Sequence, residues 1–146
     1  MKKLILLVLV FGLGFLTAYT IFVNPNWFKF GLDKAQMAAN DCDKVIAEIE
    51  KYDWDVKLAT AVMKAETKCN VNAKGDTEYI YEENGREYGY SVGAFQVRIL
   101  PGREDCDTFE LETNVRCAYN IYVKAEREFT DWTMFKNGKY REYLDA

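Results

Sequence analysis

A single glutamate interrupts a stretch whose other residues have the spacing of a buried helix face. The sequence predicts a helix over residues 55–68, and Leu58, Val62, Glu66 and Cys69 fall on one side of it. Lysines and a threonine occupy the opposite side. Glu66 is therefore expected to point toward the protein interior, where an unpaired carboxylate is rare.

A carboxyl group in an apolar setting is either paired or kept protonated, because loss of solvent disfavours the anion. In a structural interpretation, Glu66 bridges to a main-chain amide or to an arginine, and the candidates are Arg86, Arg98 and Arg116. In a chemical interpretation, Glu66 is a general acid that keeps its proton near neutral pH. Periodicity alone does not separate these two interpretations.

Glu66 lies in the segment AETKCNVNAKG. Three further segments follow it in the chain, and they are YSVGAFQV, LETNVRCAYNIY and DWTMFKNGKYREYL. Their order resembles the lysozyme-like lytic transglycosylases, the soluble lytic transglycosylase type that is related to goose-type lysozymes. The positions that fit the family pattern are Glu66, Asn70 and Ala73, then Ser91, Gly93 and Gln96, then Leu111, Asn114 and Val115, and finally Trp132, Asn137, Gly138 and Tyr140.

The resemblance implies a lysozyme-like α+β fold, mainly α, with a small β-hairpin. It also implies cleavage of peptidoglycan between N-acetylmuramic acid and N-acetylglucosamine, with Glu66 acting first as acid and then as base. In this family the sugar's own N-acetyl group and 6-hydroxyl replace an external nucleophile and water, so the product has a 1,6-anhydro end. No metal and no organic cofactor is implied.

The residues expected to bind or position the substrate are Ser91, Gly93, Gln96, Tyr90, Asn137 and Tyr140. Gln96 can hold a carboxyl group in place, because its amide both donates and accepts hydrogen bonds. Gly93 allows a close approach of main chain to a ligand or to the Glu66 helix, since it has no side chain. Asn70 is predicted to close that helix in the left-handed conformation. The chain departs from the family pattern at Phe135 and Lys136, where many members have a tyrosine.

Two other interpretations of these residues stay open. A hydrolytic lysozyme needs a second carboxylate about 5 to 9 Å from the acid, and the acidic residues in or near the predicted hairpin are Asp76, Glu78, Glu82, Glu83 and Glu87. A non-catalytic wall-binding protein of the same fold would have no need of Glu66. The sequence does not identify partners in a secretion system or a phage.

Alternating residues on both sides of Asn84 and Gly85 predict a β-hairpin within residues 77–90, since this pair favours a type I′ turn. Its tyrosines either stack on sugar rings or pack across the strands, and they are Tyr79, Tyr81, Tyr88 and Tyr90. Helical periodicity also predicts helices over residues 41–52 and 111–129.

The N-terminal region has the pattern of a membrane segment. Lys2 and Lys3 precede an uncharged run from Leu4 to Val23, and about 20 helical residues span roughly 30 Å. The positive end should stay in the cytoplasm, so the rest of the chain should face the periplasm or cell exterior. Both an uncleaved anchor in the cytoplasmic membrane and a cleaved signal peptide fit, and cleavage would give a secreted protein.

The predicted organisation has three parts: a transmembrane or signal helix over residues 1–23, a juxtamembrane segment over 24–40 and a transglycosylase domain over 41–146. Histidine is absent, which excludes Ser-His-Asp and Cys-His catalysis and histidine metal sites. The net charge is −4 and no basic stripe is visible, so no nucleic-acid partner is expected.

The four cysteines contain no C-x-x-C pair, which favours disulfides in an oxidising compartment. Four cysteines allow three pairings. Of these we expect Cys106 with Cys117 and Cys42 with Cys69.

Overall fold

The computed structural model describes residues 5–9, 18–22 and 41–144 of the chain. The chain divides into two compact units, Met1–Met37 and Ala38–Ala146.

In the first unit, strands β1 (Ile5–Leu9) and β2 (Ala18–Phe22) pair in antiparallel orientation. These residues belong to the run that predicts one helix, so the structure differs from that prediction wherever it describes the run. The reason is that an uninterrupted apolar run has no periodicity to separate helix from strand. Among the described residues, no helix is both long and apolar enough to cross a membrane. The juxtamembrane segment, residues 24–40, lies outside the described ranges.

The second unit begins with two helices. Helix α1 covers the described residues 41–49, where Val45 is fully buried. Helix α2 covers Val56–Thr67 and is capped by Asp55, whose carboxylate accepts a hydrogen bond from the N–H of Leu58 at 2.9 Å. The predicted helix over residues 55–68 is therefore confirmed to within one residue at each end.

Helix α2 is closed by residues in the left-handed conformation. Lys68 has a φ of 53° and Cys69 a φ of 68°, so the prediction that Asn70 takes this conformation is wrong. The Asn70 side chain instead accepts a hydrogen bond from the N–H of Asn72 at 3.0 Å. Tertiary structure overrides residue preference here, because a disulfide to Cys42 and burial fix the position of Cys69.

Strands β4 (Tyr81–Glu83) and β5 (Arg86–Tyr88) form the predicted hairpin. Asn84 and Gly85 connect them with φ angles of 53° and 76°. Both central residues of a type I′ turn need a positive φ. The Asn-Gly pair thus sets the register of the hairpin, with Glu83 opposite Arg86.

A second sheet has no signal in the sequence. Its strands pair in antiparallel fashion in the order β3-β6-β7, and they are β3 (Lys74–Gly75), β6 (Ser91–Val92) and β7 (Val97–Arg98). Ser91 lies between Gly75 on one side and Arg98 on the other. Each strand has only two residues, too few to show alternation.

Helices α3 (Leu111–Lys124) and α4 (Thr133–Lys136) follow the sheets. The prediction extends α3 to residue 129, but Glu126 and Arg127 have φ angles of 58° and 65°, which a helix does not accommodate. Three short 3₁₀ helices complete the described structure: Thr77–Tyr79, Glu104–Cys106 and Lys139–Tyr143.

The core lies between the α-helices and the segment that joins β6 to β7. Met63, Phe95 and Phe129 are among its largest fully buried side chains. The buried Asn114 side chain of α3 donates to the Val92 carbonyl at 3.0 Å and accepts from the N–H of Phe95 at 3.2 Å. A polar side chain thus ties α3 to the sheet. The unit is a mixed helix-and-strand fold with more helix than strand, and it contains the small hairpin that the sequence predicts.

The two disulfides join Cys42 to Cys69 and Cys106 to Cys117, as predicted. The first fastens α1 to the residues that close α2. The second fastens the 3₁₀ helix Glu104–Cys106 to α3. A bridge therefore restrains the chain three residues beyond Glu66.

Replacing Cys42 and Cys69 together by alanine should lower the free energy of unfolding by about 3 kcal/mol, because the bridge restricts the unfolded chain. The matched control is the double alanine variant at Cys106 and Cys117. That bridge spans a sequence separation of 11 residues, against 27 for Cys42–Cys69, so its loss should lower the free energy of unfolding somewhat less. Denaturant titration followed by circular dichroism measures both. Unchanged midpoints in both double variants would contradict a stabilising role for the bridges.

Candidate active site

A cleft of about 470 Å³ lies beside the C-terminal end of α2. Five residues with ionisable side chains line it, and they are Glu66, Asp76, Arg98, Arg103 and Asp131. Ser91 and Gln96 line the same cleft. Three of the residues that the sequence predicts for the site therefore come together here, although Ser91 and Gln96 are far from Glu66 in the chain.

Glu66 is half-buried in the last turn of α2. Loss of solvent raises the pKa of its carboxyl group above the ordinary value. A hydrogen bond from the N–H of Met134 to Oε1, 3.2 Å long, acts in the opposite direction, and the negative charge of Asp76 raises the pKa further. The net direction is upward, so the cleft favours a protonated carboxylic acid.

Of the partners that the structural interpretation names for Glu66, the structure shows a main-chain amide and, among the described residues, no arginine. The main-chain amide of Met134 does bind Glu66. Arg86, however, pairs with Asp107 at 3.1 Å, and the Arg98 guanidinium lies over the ring of Tyr79. Because no arginine compensates the carboxylate among the described residues, burial dominates the state of Glu66.

The segment between β6 and β7 accepts hydrogen bonds from the end of α2 and from the residue before α4. Thr67 donates from its hydroxyl to the Ala94 carbonyl at 2.8 Å. Trp132 is buried and donates from Nε1 to the Phe95 carbonyl at 2.7 Å. Helix α4, which carries Met134, begins directly after Trp132. These two bonds therefore fix the α2 carboxyl and its main-chain donor relative to the same piece of chain.

Asp76 is a second carboxylate in the cleft, and the sequence gives it no special place among the hairpin acids. It accepts a hydrogen bond from the buried hydroxyl of Ser91. The other acids of the group are exposed and do not line the cleft, namely Glu78, Glu82, Glu83 and Glu87. The signal that would identify Asp76 is the pairing of Gly75 with Ser91, and strands this short cannot be predicted.

Gln96 and Gly93 organise main chain near the cleft. The Gln96 amide nitrogen donates to the carbonyls of Ala73 at 3.2 Å and Gly93 at 3.0 Å. These bonds brace the β3 side of the cleft against the β6–β7 segment. Gly93 has a φ of 75°, and a Cβ there would lie 2.3 Å from Nδ2 of Asn114. The close approach that glycine allows is thus to α3, whereas the sequence suggests a ligand or the Glu66 helix.

The other three residues predicted to position the substrate do not line the cleft. The Tyr90 hydroxyl donates to Asp107 at 2.7 Å, and burial together with this bond raises the pKa of Tyr90 to about 12. Asn137 is exposed and accepts from a main-chain N–H in its own turn. The Tyr140 ring stacks on Phe135 with centroids 4.9 Å apart. A role for these residues in substrate binding stays a prediction.

The hairpin tyrosines divide into packed and exposed rings. Tyr81 and Tyr88 stack across the strands with centroids 5.9 Å apart, and Tyr88 and Tyr90 are buried. Tyr79 is 57% exposed and Tyr81 43% exposed. Cross-strand packing therefore accounts for one pair, and the exposed faces of Tyr79 and Tyr81 are the ones that a sugar can reach.

Comparison with known proteins adds no family to this description. No protein-family model matches the chain, and neither a curated protein nor a solved structure matches it. Function is therefore inferred from the cleft and from the ordered motifs of the sequence.

Glu66→Gln should raise the melting temperature relative to wild type at about pH 8 and change it little at about pH 3.5. The folded protein holds the Glu66 proton more tightly than the unfolded chain does. Stability from this group is therefore complete below the ordinary pKa and is lost as the pH rises through the raised one. The amide has no charge to bury, so it escapes that loss. Thermal unfolding at the two pH values measures the difference.

Glu83→Gln is the matched control, since Glu83 is exposed beside the hairpin turn. It should leave the melting temperature nearly unchanged at both pH values. A Glu66→Gln protein that is no more stable than wild type at about pH 8 would contradict a desolvation penalty on the carboxylate.

Proposed function

We propose that the protein is a peptidoglycan lytic transglycosylase that cleaves the glycan between N-acetylmuramic acid and N-acetylglucosamine. The observation that carries the proposal is the half-buried carboxyl group of Glu66, whose pKa is raised in a cleft. The ordered motifs that begin at this residue support the same family and a lysozyme-like fold. Glycan strands of peptidoglycan are the proposed partner.

Glycoside cleavage needs a proton for a poor leaving group, and the acid must be protonated near neutral pH to supply it. Glu66 donates its proton to the bridging oxygen as the bond from that oxygen to C1 of the muramyl sugar breaks. The N-acetyl group of the sugar stabilises the positive charge that develops at C1. The 6-hydroxyl of the same sugar then attacks C1 and returns its proton to Glu66, which leaves a 1,6-anhydro end.

This route needs one carboxyl group and no cofactor, and the elements around Glu66 suit it. The Met134 amide can stabilise the carboxylate after proton transfer without holding it ionised beforehand, because burial outweighs that one hydrogen bond. The negative charge of Asp76 adds to the rise that burial causes in the pKa of Glu66. Ser91 in turn fixes the Asp76 carboxylate.

Hydrolysis by a lysozyme mechanism is the second candidate, and the position of Asp76 specifically favours it. A two-carboxylate hydrolase uses one group as acid and the other as nucleophile or as base for water. Asp76 lines the cleft and acts electrostatically on Glu66. Under this mechanism, water enters the product and a reducing end forms.

We also propose that the catalytic unit faces the periplasm or cell exterior, anchored to the cytoplasmic membrane by its N-terminal region or, alternatively, secreted after cleavage. The two disulfides support an oxidising compartment. The charged start and the uncharged run from Leu4 to Val23 support export. The N-terminal residue of the exported protein distinguishes the anchor from the cleaved signal.

Glu66→Gln should reduce cleavage of purified peptidoglycan by at least about 10² to 10⁴, the usual loss on removing a general acid. The amide keeps the shape of the side chain and can still accept from Met134, but it cannot donate the proton. Release of soluble glycan fragments measures the rate, with Glu83→Gln as the control that should keep wild-type activity. A Glu66→Gln protein that cleaves at the wild-type rate would contradict the assignment, and a wild-type protein that binds glycan without cleaving it would indicate a wall-binding role.

Asp76→Asn should keep the rate within about tenfold of wild type, or roughly 1.4 kcal/mol of barrier, and should still yield anhydro ends. The transglycosylase route does not use Asp76 as a nucleophile or base, so only its electrostatic support of Glu66 is lost. Mass spectrometry of the products provides the decisive reading, since anhydro ends are lighter by one water. A variant as damaged as Glu66→Gln, with reducing ends in the wild-type digest, would identify the protein as a lysozyme.

A further inference from the structure

Arg98 brings a positive charge into the cleft that no acidic side chain neutralises among the described residues. The other arginine of the cleft, Arg103, pairs with Asp131 at 3.4 Å. Arg98 instead lies with its guanidinium carbon 5.3 Å from the centre of the Tyr79 ring. Such a contact orients a guanidinium and leaves its N–H donors free for a ligand.

The register of the second sheet places Arg98 on the catalytic side. Arg98 lies directly opposite Ser91, and side chains of opposed residues in an antiparallel pair lie on the same face. The Ser91 hydroxyl reaches Asp76 in the cleft. Arg98 is exposed on that face, so its charge is accessible to a molecule that enters the cleft.

Arg98 shares the cleft with acidic side chains. Glu66 and Asp76 lie in the lining, and Asp76 in its charged form repels an anionic ligand. Arginine presents paired N–H donors that match the two oxygens of a carboxylate. An unneutralised arginine in such a cleft offsets that repulsion at one place and provides a counter-charge for a ligand carboxylate.

We propose that Arg98, held by Tyr79, is a subsite for a carboxylate of the substrate, so that the cleft prefers glycans that carry carboxylates to neutral ones. The inference rests on the proposed function and names the substrate feature that this wall of the cleft recognises. A muramyl glycan offers such a group in two places, the lactyl carboxylate of a sugar without a peptide and the carboxylates of an attached peptide stem. Chitin-like chains of N-acetylglucosamine offer none.

Binding to the full chain carrying Glu66→Gln tests this without cleavage of the probes. The probes are an N-acetylglucosamine tetramer, a stem-free muramyl glycan and a stem-bearing muramyl glycan, each titrated by calorimetry. Adding Arg98→Gln should raise the Kd for a carboxylate-bearing probe by about three- to tenfold. It should leave the Kd for the neutral tetramer within about twofold, and Arg98→Lys should fall between the two proteins.

Arg116→Gln is the matched control, because Arg116 is an exposed arginine on α3 that does not line the cleft. It should change none of the three Kd values. A loss with the stem-free probe alone assigns the lactyl carboxylate as the ligand, because an attached stem converts that group into an amide. A loss with the stem-bearing probe alone assigns a carboxylate of the peptide stem, and a loss with both shows that the subsite accepts either carboxylate. Each of these results supports the subsite.

Equal weakening for neutral and anionic probes, no weakening for either anionic probe, or no binding of any anionic probe would overturn the inference. Failure of the proposed function gives a different result. In that case the wild-type chain cleaves no glycan, whereas Arg98-dependent binding of the anionic probes persists. A wild-type chain that cleaves peptidoglycan while Arg98→Gln binds all probes normally would remove the subsite and keep the enzyme.

Discussion

Removing water from the Glu66 carboxyl group costs free energy whenever the group is ionised, and the surrounding structure nevertheless keeps it half-buried. Several separate contacts hold it there. Asp55 caps the start of α2, the Cys42–Cys69 bridge restrains the chain beyond its end, and Thr67 bonds to the β6–β7 segment. These contacts thus hold Glu66 where burial raises the pKa of its carboxyl group above that of an exposed glutamate.

The charges of the cleft have different relations to that acid. Asp76 acts on Glu66 through a like charge, which favours the proton on the half-buried group. Met134 offers one main-chain donor, and its hydrogen bond favours the ionised form of Glu66. Arg98 lies on the same sheet face as Ser91 and is not paired with either acid. The proposed proton donor and the proposed carboxylate subsite are therefore different side chains, one at the end of α2 and one on the three-stranded sheet.

Local sequence signals predict the parts of this structure that local forces determine. The α2 helix follows from its apolar spacing and its capping aspartate, and the hairpin from the Asn84-Gly85 turn. The disulfide pairing agrees with the prediction as well. The three-stranded sheet depends on pairing between two-residue strands, which are too short to show a periodic pattern in the sequence. The position of Asp76 depends on the same pairing. The helix prediction for the N-terminal run is wrong at its described residues for a related reason, because a uniformly apolar sequence is compatible with both helix and strand.

A direct titration of the Glu66 side chain tests the central claim, that burial raises the pKa of this carboxyl group above that of an exposed glutamate. The carboxyl carbon can be followed by NMR across the pH range in the folded protein, with Glu66→Gln used to assign its resonance. The account predicts a pKa above the ordinary value of 4.5. A midpoint at or below that value would show that the Met134 hydrogen bond outweighs burial, and it would remove the physical basis for Glu66 as the acid.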